Sequence, residues 1–90
     1  MKRLRAVVIG RVQGVGYRMS VHKSIEQLDV TGYVKNLPDS TVEIVAEGAQ
    51  ETLEEVLDIA KAGSYWSNVE NVETEYTDAT GEFDGFSIAY

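Results

Sequence analysis

From residue 4 the chain reads LRAVVIGR, in which Leu4, Ala6 and Val8 alternate with Arg5, Val7 and Ile9. This β-branched run predicts a largely buried strand. After a glycine-rich stretch, Val21, Ile25 and Leu28 fall at i, i+4, i+7, predicting an amphipathic helix over residues 17–29 whose outer face carries Lys23, Glu26 and Gln27. TGYVKNL (31–37) and TVEIVAE (41–47) read as two strands joined through Pro38, Asp39 and Ser40, a predicted hairpin. Leu53, Val56, Leu57 and Ala60 then repeat with helical spacing, and Gly63 is placed to stop a helix over residues 50–62. NVENVETEY (68–76) puts Val72, Thr74 and Tyr76 on one face, and FSIAY (86–90) does the same with Phe86, Ile88 and Tyr90. These predict a fourth strand and a short fifth.

The order strand, helix, strand, strand, helix, strand is that of an α+β ferredoxin-like sandwich: an antiparallel sheet with both helices on one face. No internal repeat or linker interrupts it, so residues 1–90 are expected to form a single domain.

Composition narrows the chemistry. Hydrophobic residues make up 43% and charged residues 26%, as in folded globular chains. No cysteine is present, which removes disulfides, thiolate metal sites and a cysteine nucleophile, and fits a cytoplasmic location. No apolar run approaches the ~20 residues of a membrane helix, and residues 1–20 lack the apolar block of a signal peptide. The net charge is -7, yet residues 1–25 hold Lys2, Arg3, Arg5, Arg11, Arg18 and Lys23 and no acid. Such segregation is compatible with an anion site, with contacts to nucleic acid phosphates, or with a solvated surface of uneven sequence order.

The basic end contains GRVQGVGYR, residues 10–18. It is neither a Walker loop, since no Lys-Ser or Lys-Thr follows, nor a dinucleotide fingerprint, since Met19 stands at the third glycine position. Glycines let backbone N–H groups converge, and a helix start leaves unpaired donors with partial positive charge. Arg18 adds a full charge there, against the helix dipole, a conflict that an anionic ligand removes. An ion pair between Arg18 and one of the acids, with the glycines serving only a tight connection, explains the same residues equally well.

A second block separates these readings. GYVKNLPDSTVEIVAEG (32–48), taken with GRVQGVGYR and the closing FSIAY, resembles the signature blocks of the acylphosphatase family over almost the whole chain. The resemblance implies a ferredoxin-like fold and hydrolysis of the carboxyl–phosphate bond of small-molecule acyl phosphates, releasing inorganic phosphate, with no metal or other cofactor. It implies that Arg18 binds the phosphoryl group together with backbone N–H groups of Gln13, Gly14, Val15, Gly16 and Tyr17, and that Asn36 orients the attacking water. The chemistry is consistent: a carboxylate leaving group, with a conjugate acid of pKa ~4, departs at neutral pH without a general acid. Phosphoryl transfer then asks mainly for positioning and charge stabilisation. A cytoplasmic, stand-alone monomer is expected, with no membrane or nucleic acid partner.

Other candidates receive plainer readings. Taken alone, Asn36 before LPDS reads as a turn-shaping residue. His22 reads as a surface or packing residue, and Glu51, Glu54, Glu55 and Asp58 as a solvated helix face rather than a metal site. The family pattern is departed from at PDST, where DGT is common, so Ser40 takes a backbone shape that glycine would ease. GSYWSNV (63–69) replaces a loop that often contains Gly-Pro, with Tyr65 and Trp66 expected to pack, and Ala89 stands where a basic residue is usual. The principal rival is an RNA-binding module, because ferredoxin-like sheets can stack bases on exposed aromatics. No segment here reproduces the aromatic RNA-binding strand. A degenerate, partner-binding family member is disfavoured by the retention of Arg18 and Asn36.

Overall fold

In the computed structural model, which describes Met1 to Tyr90, the elements run β1 (Lys2–Arg11), α1 (Tyr17–Ile25), β2 (Thr31–Asn36), β3 (Val42–Gly48), α2 (Gln50–Ala62), β4 (Asn68–Asp78) and β5 (Phe86–Ala89). The sheet order is β4-β1-β3-β2-β5. The first four strands pair antiparallel, as the β-α-β-β-α-β pattern requires, whereas β5 joins the outer side of β2 in parallel, Val34 opposite Ile88. The ferredoxin-like sandwich is therefore present with a mixed edge. No helix is long and apolar enough to cross a membrane.

Alternation in the strands decides what is buried. Leu4, Ala6, Val8, Val34, Val42, Ile44 and Ala46 point to the helix-covered face and meet Tyr17, Val21 and Ile25 of α1 and Leu53, Val56 and Ala60 of α2 in one core. Each large aliphatic side chain among them contributes roughly 1.5–3 kcal/mol by leaving water. Helix α2 spans the expected residues, with Glu51 in its first turn, Lys61 in its last and Gly63 as its C-cap. Helix α1 is shorter than its apolar spacing predicts. It stops at Ile25 because the chain must reverse to enter β2 at Thr31, and tight bonds from Leu28 N to Ile25 O (2.8 Å) and Val30 N to Leu28 O (3.0 Å) replace further helical turns. Leu28 still packs on the core, from this turn rather than from a helix face.

The opposite sheet face holds a charged network. Arg5 Nε donates to Glu43 (2.6 Å), which also accepts from the Tyr33 hydroxyl (2.8 Å). Burial, followed by the adjacent Glu43, pushes the Tyr33 phenol up to about 12. The connection between β4 and β5 crosses this face: Phe83 lies edge-on to Tyr33 and beneath the Arg3 guanidinium, 5.1 Å from its ring centre. Buried Glu47 accepts from Thr80 N (2.9 Å), Gly81 N (2.9 Å), Thr80 Oγ1 (3.2 Å) and Arg3 Nε (2.7 Å).

The Thr80 N–H, followed by Arg3, draws the Glu47 carboxyl from 4.5 down to about 2. Because its folded value lies below the unfolded one, the stability it contributes is complete above about pH 4.5 and lost as pH falls towards 2. Thermal melts across that window are expected to show a fall in Tm for the native chain and a flatter profile for Glu47→Gln, whose Tm at neutral pH is lower. Parallel profiles for the two proteins would show that Glu47 does not carry this acid sensitivity.

The turn before β3 contains the one non-glycine residue at positive φ, Ser40 at 75°. It is held by Ser40 N to Leu37 O (3.3 Å) and by the Asp39 carboxylate, which accepts from Thr41 N at 3.2 Å. Left-handed backbone costs a non-glycine residue about 1–2 kcal/mol, and glycine's extra unfolded-state entropy offsets part of that relief. Ser40→Gly is thus expected to stabilise the chain by about 0.5–1 kcal/mol, read as a higher urea midpoint at unchanged slope.

Candidate active site

The stretch between β1 and α1 is built to leave donors unused. Gly14 (φ 71°) and Gly16 (φ 74°) take left-handed backbone, and a Cβ on either would meet nothing within 4 Å, so conformation rather than space demands glycine. Gly16 caps α1 without any side-chain bond, and the first turn has no acid. The first helical bond is Ser20 N to Gly16 O at 3.1 Å; no backbone N–H from Gln13 to Met19 has a partner within the chain. The loop is anchored on both flanks. Gln13 Nε2 donates to Leu37 O and Thr41 O, each at 2.8 Å, and Ser64 Oγ donates to Val15 O at 2.9 Å.

Arg18 begins the exposed side of α1. The chain's ion pairs join Lys2 to Asp78, Arg3 to Glu47 and Glu82, and Arg5 to Glu43, with His22 3.9 Å from Glu26. Arg18 is in none of them. Its Nη1 donates to Ala89 O at 3.0 Å, and its guanidinium lies 4.8 Å from the centre of the Tyr90 ring. An ion pair therefore does not account for this cation. The arginines whose positions made the N-terminus look basic, Arg3 and Arg5, are by contrast neutralised on the far sheet face. That face's aromatics, Tyr33 and Phe83, pack edge to face, and Phe83 also lies against Arg3.

Asn36 ends β2, and its Oδ1 is the one buried side-chain polar atom without a hydrogen-bond partner. An acceptor in that state costs on the order of 1–3 kcal/mol, so it marks a place where stability yields to something else. Arg18, Asn36, Gly14, Gly16 and Tyr17 line one cleft of about 160 Å³, completed by Val12, Met19, Ile88 and Tyr90. No Asp, Glu or His lines it. Tyr17 contributes backbone: its side chain is in the core, the hydroxyl donating to Ala60 O at 2.7 Å, and burial pushes the phenol well above its ordinary range.

An arginine without a carboxylate partner, an idle amide oxygen and the glycines of a loop whose N–H groups have no partner within the chain thus line one cleft. The acylphosphatase family profile matches residues 4–88.

The chain belongs to the acylphosphatase family.

It is 47% identical over 88 residues to the acylphosphatase of Thermus thermophilus, covering 98% of this chain and 99% of that one. It is 42% identical over 81 residues to that of Caldanaerobacter subterraneus subsp. tengcongensis, 90% of each. The crystal structure of acylphosphatase from Bacillus subtilis is similar with a TM-score of 0.94 and 37% identity, covering 100% of both chains. The activity is accordingly that of an acylphosphatase, hydrolysis of the carboxyl–phosphate bond of a small-molecule acyl phosphate.

Of the residues that acylphosphatase resemblance singles out, Gln13 and Val15 do not line the cleft; the first reaches the β2–β3 turn and the second is tied to Ser64. Met19, Ile88 and Tyr90 line it without having been singled out in sequence as site residues. Met19 follows Arg18 directly, but the part played by β5 depends on its parallel seat beside β2, which has no local signature. Tyr65 and Trp66, expected to pack, are 89% and 70% exposed and contact each other edge to face at 4.8 Å. His22 joins α1 to β5, its Nε2 3.0 Å from Phe86 O, and the α2 acids remain exposed.

Proposed function

We propose that the cleft holds the phosphoryl group between the Arg18 guanidinium and backbone N–H groups of residues 13–17, and that Asn36 orients the water that attacks phosphorus. The observation that carries this reading is the unpartnered, buried Asn36 Oδ1 in the same cleft as Arg18. As an acceptor, Oδ1 takes one water hydrogen and leaves the oxygen lone pair for the attack. The water oxygen bonds to phosphorus, the bond from phosphorus to the acyl oxygen breaks, and the electron pair leaves on the carboxylate. The water proton passes to a phosphoryl oxygen, giving carboxylate and dihydrogen phosphate. With no carboxyl or imidazole side chain lining the cleft, the reaction relies on the good leaving group and on charge stabilisation at the phosphoryl oxygens.

The same reading has the reaction proceed without a metal or other cofactor, in a monomer of the cytoplasm; every group it uses comes from one chain. Hydrolysis of benzoyl phosphate in excess chelator, with inorganic phosphate as a competitive inhibitor, tests it. Turnover unaffected by chelator is the expected result. Turnover abolished by chelator and restored by a divalent cation would overturn the cofactor-free mechanism.

A further inference from the structure

We infer that the Gln13 side chain is a positioning residue for Asn36, setting the water-orienting amide against the phosphate loop. Gln13 Nε2 donates to Leu37 O and to Thr41 O, both at 2.8 Å. Carbonyl oxygens only accept, so this geometry identifies the NH₂ end of the amide, and both of its hydrogens are used. The acceptors are the two ends of the β2–β3 turn, already joined by Leu37 N to Thr41 O at 2.9 Å. Leu37 O also accepts Ser40 N at 3.3 Å, so Gln13 fills the remaining acceptor capacity of both carbonyls.

Leu37 immediately follows Asn36, whose side chain has no hydrogen bond of its own to fix it through Oδ1. The main-chain frame of Asn36 is set by β3 on one side, through the pairing with Val42, and by Gln13 at the next residue. On the other side, Gln13 is the residue directly before Gly14, where the loop's left-handed backbone begins. The amide is therefore a bridge from the loop that would hold phosphate to the strand end that would hold water. In-line attack is sensitive to displacements of about 1 Å, so a shift of that size at the end of β2 on loss of this bridge would be enough to slow turnover.

This inference rests on the water-orienting reading of Asn36, and the test separates the two. Benzoyl phosphate kinetics and inhibition by inorganic phosphate would be measured for the full chain and for Gln13→Ala, Gln13→Glu, Asn36→Ala and the Gln13→Ala/Asn36→Ala double variant, each with its folding checked by circular dichroism. Gln13→Glu keeps the shape while replacing both donors with an acceptor, and Gln13→Met serves should Gln13→Ala not fold. The expected result is a kcat about tenfold lower in each Gln13 single variant, with KM and the phosphate inhibition constant within about twofold. In the Asn36→Ala background the same substitution is expected to cost less than about twofold in kcat. A full, additive loss in that background would overturn the inference while leaving Asn36's role intact, as would a loss confined to KM and phosphate binding, or no loss at all. Native turnover by Asn36→Ala would instead overturn the parent reading.

Discussion

Arg18→Ala is expected to lower kcat/KM for benzoyl phosphate by about a thousandfold while leaving the fold as stable as before. Arg18 carries the only charged side chain lining the cleft, so no neighbour substitutes for it. Removing one preorganised donor from a developing oxyanion costs about 10²–10³ in rate, and an arginine on a transferring phosphoryl group about 10³–10⁵. Stability changes little, because opposing contributions offset one another. A cation in the first turn of α1 opposes the helix dipole, and its removal favours the helix by about 0.3–1 kcal/mol. The hydrogen bond to Ala89 O and the attraction to the Tyr90 ring, which the substitution also removes, are of similar size, so a Tm within a few degrees of the native value is expected. Arg18→Lys keeps the charge but not the planar fork, and is expected to recover no more than about tenfold of the loss. A fully active Arg18→Lys would mean that charge alone suffices and that the fork geometry is immaterial.

Asn36→Ala is the second large expected effect, and its signature differs. If Asn36 Oδ1 serves the attacking water rather than the phosphoryl group, kcat falls by about 10²–10³ while KM stays within about threefold. The same substitution removes a buried acceptor that has no partner, so stability is expected to hold or to rise by up to about 1 kcal/mol. Steady-state kinetics and urea titration of the one variant read both. A raised KM at unchanged kcat would assign Asn36 to ground-state binding, and a marked loss of stability would return it to the turn-shaping role that its position before Leu37 and Pro38 suggests.

Much of this was legible in the chain because the relevant signals are local. Leu53, Val56 and Ala60 fix the face and extent of α2, and Gly63 its end. Val72, Thr74 and Tyr76 do share the face of β4 that pairs across to Val8, Ala6 and Leu4. The glycine loop, Arg18 and Asn36 were recognisable as two motifs, though their meeting depends on β2 lying beside β3 and β5 rather than on any spacing. What was not legible is set by interactions between distant segments. The end of α1 is dictated by the reversal into β2, not by Leu28's apolar spacing. Glu43 and Glu47 sit in a strand whose alternation would expose them, and are buried because Arg3, Arg5 and the 79–85 crossing cover that face. Tyr65 and Trp66 carry the bulk of core residues, yet the short connection after Gly63 turns both outward.

The conflict at α1 shows the same relation between stability and use. A helix start with no acid, a left-handed glycine cap and a cation one residue inside is a poor helix start by local rules, whereas α2, with Glu51 in its first turn and Lys61 in its last, matches its dipole. The departure coincides with the cleft, as does the unpartnered Asn36 oxygen.

The central claim is that water attacks phosphorus in this cleft, and its most direct test is hydrolysis of benzoyl phosphate in water enriched in oxygen-18. The account predicts one labelled oxygen in the inorganic phosphate and none in the benzoate. Label in the benzoate would show attack at the acyl carbon and would contradict the roles given to both Arg18 and Asn36.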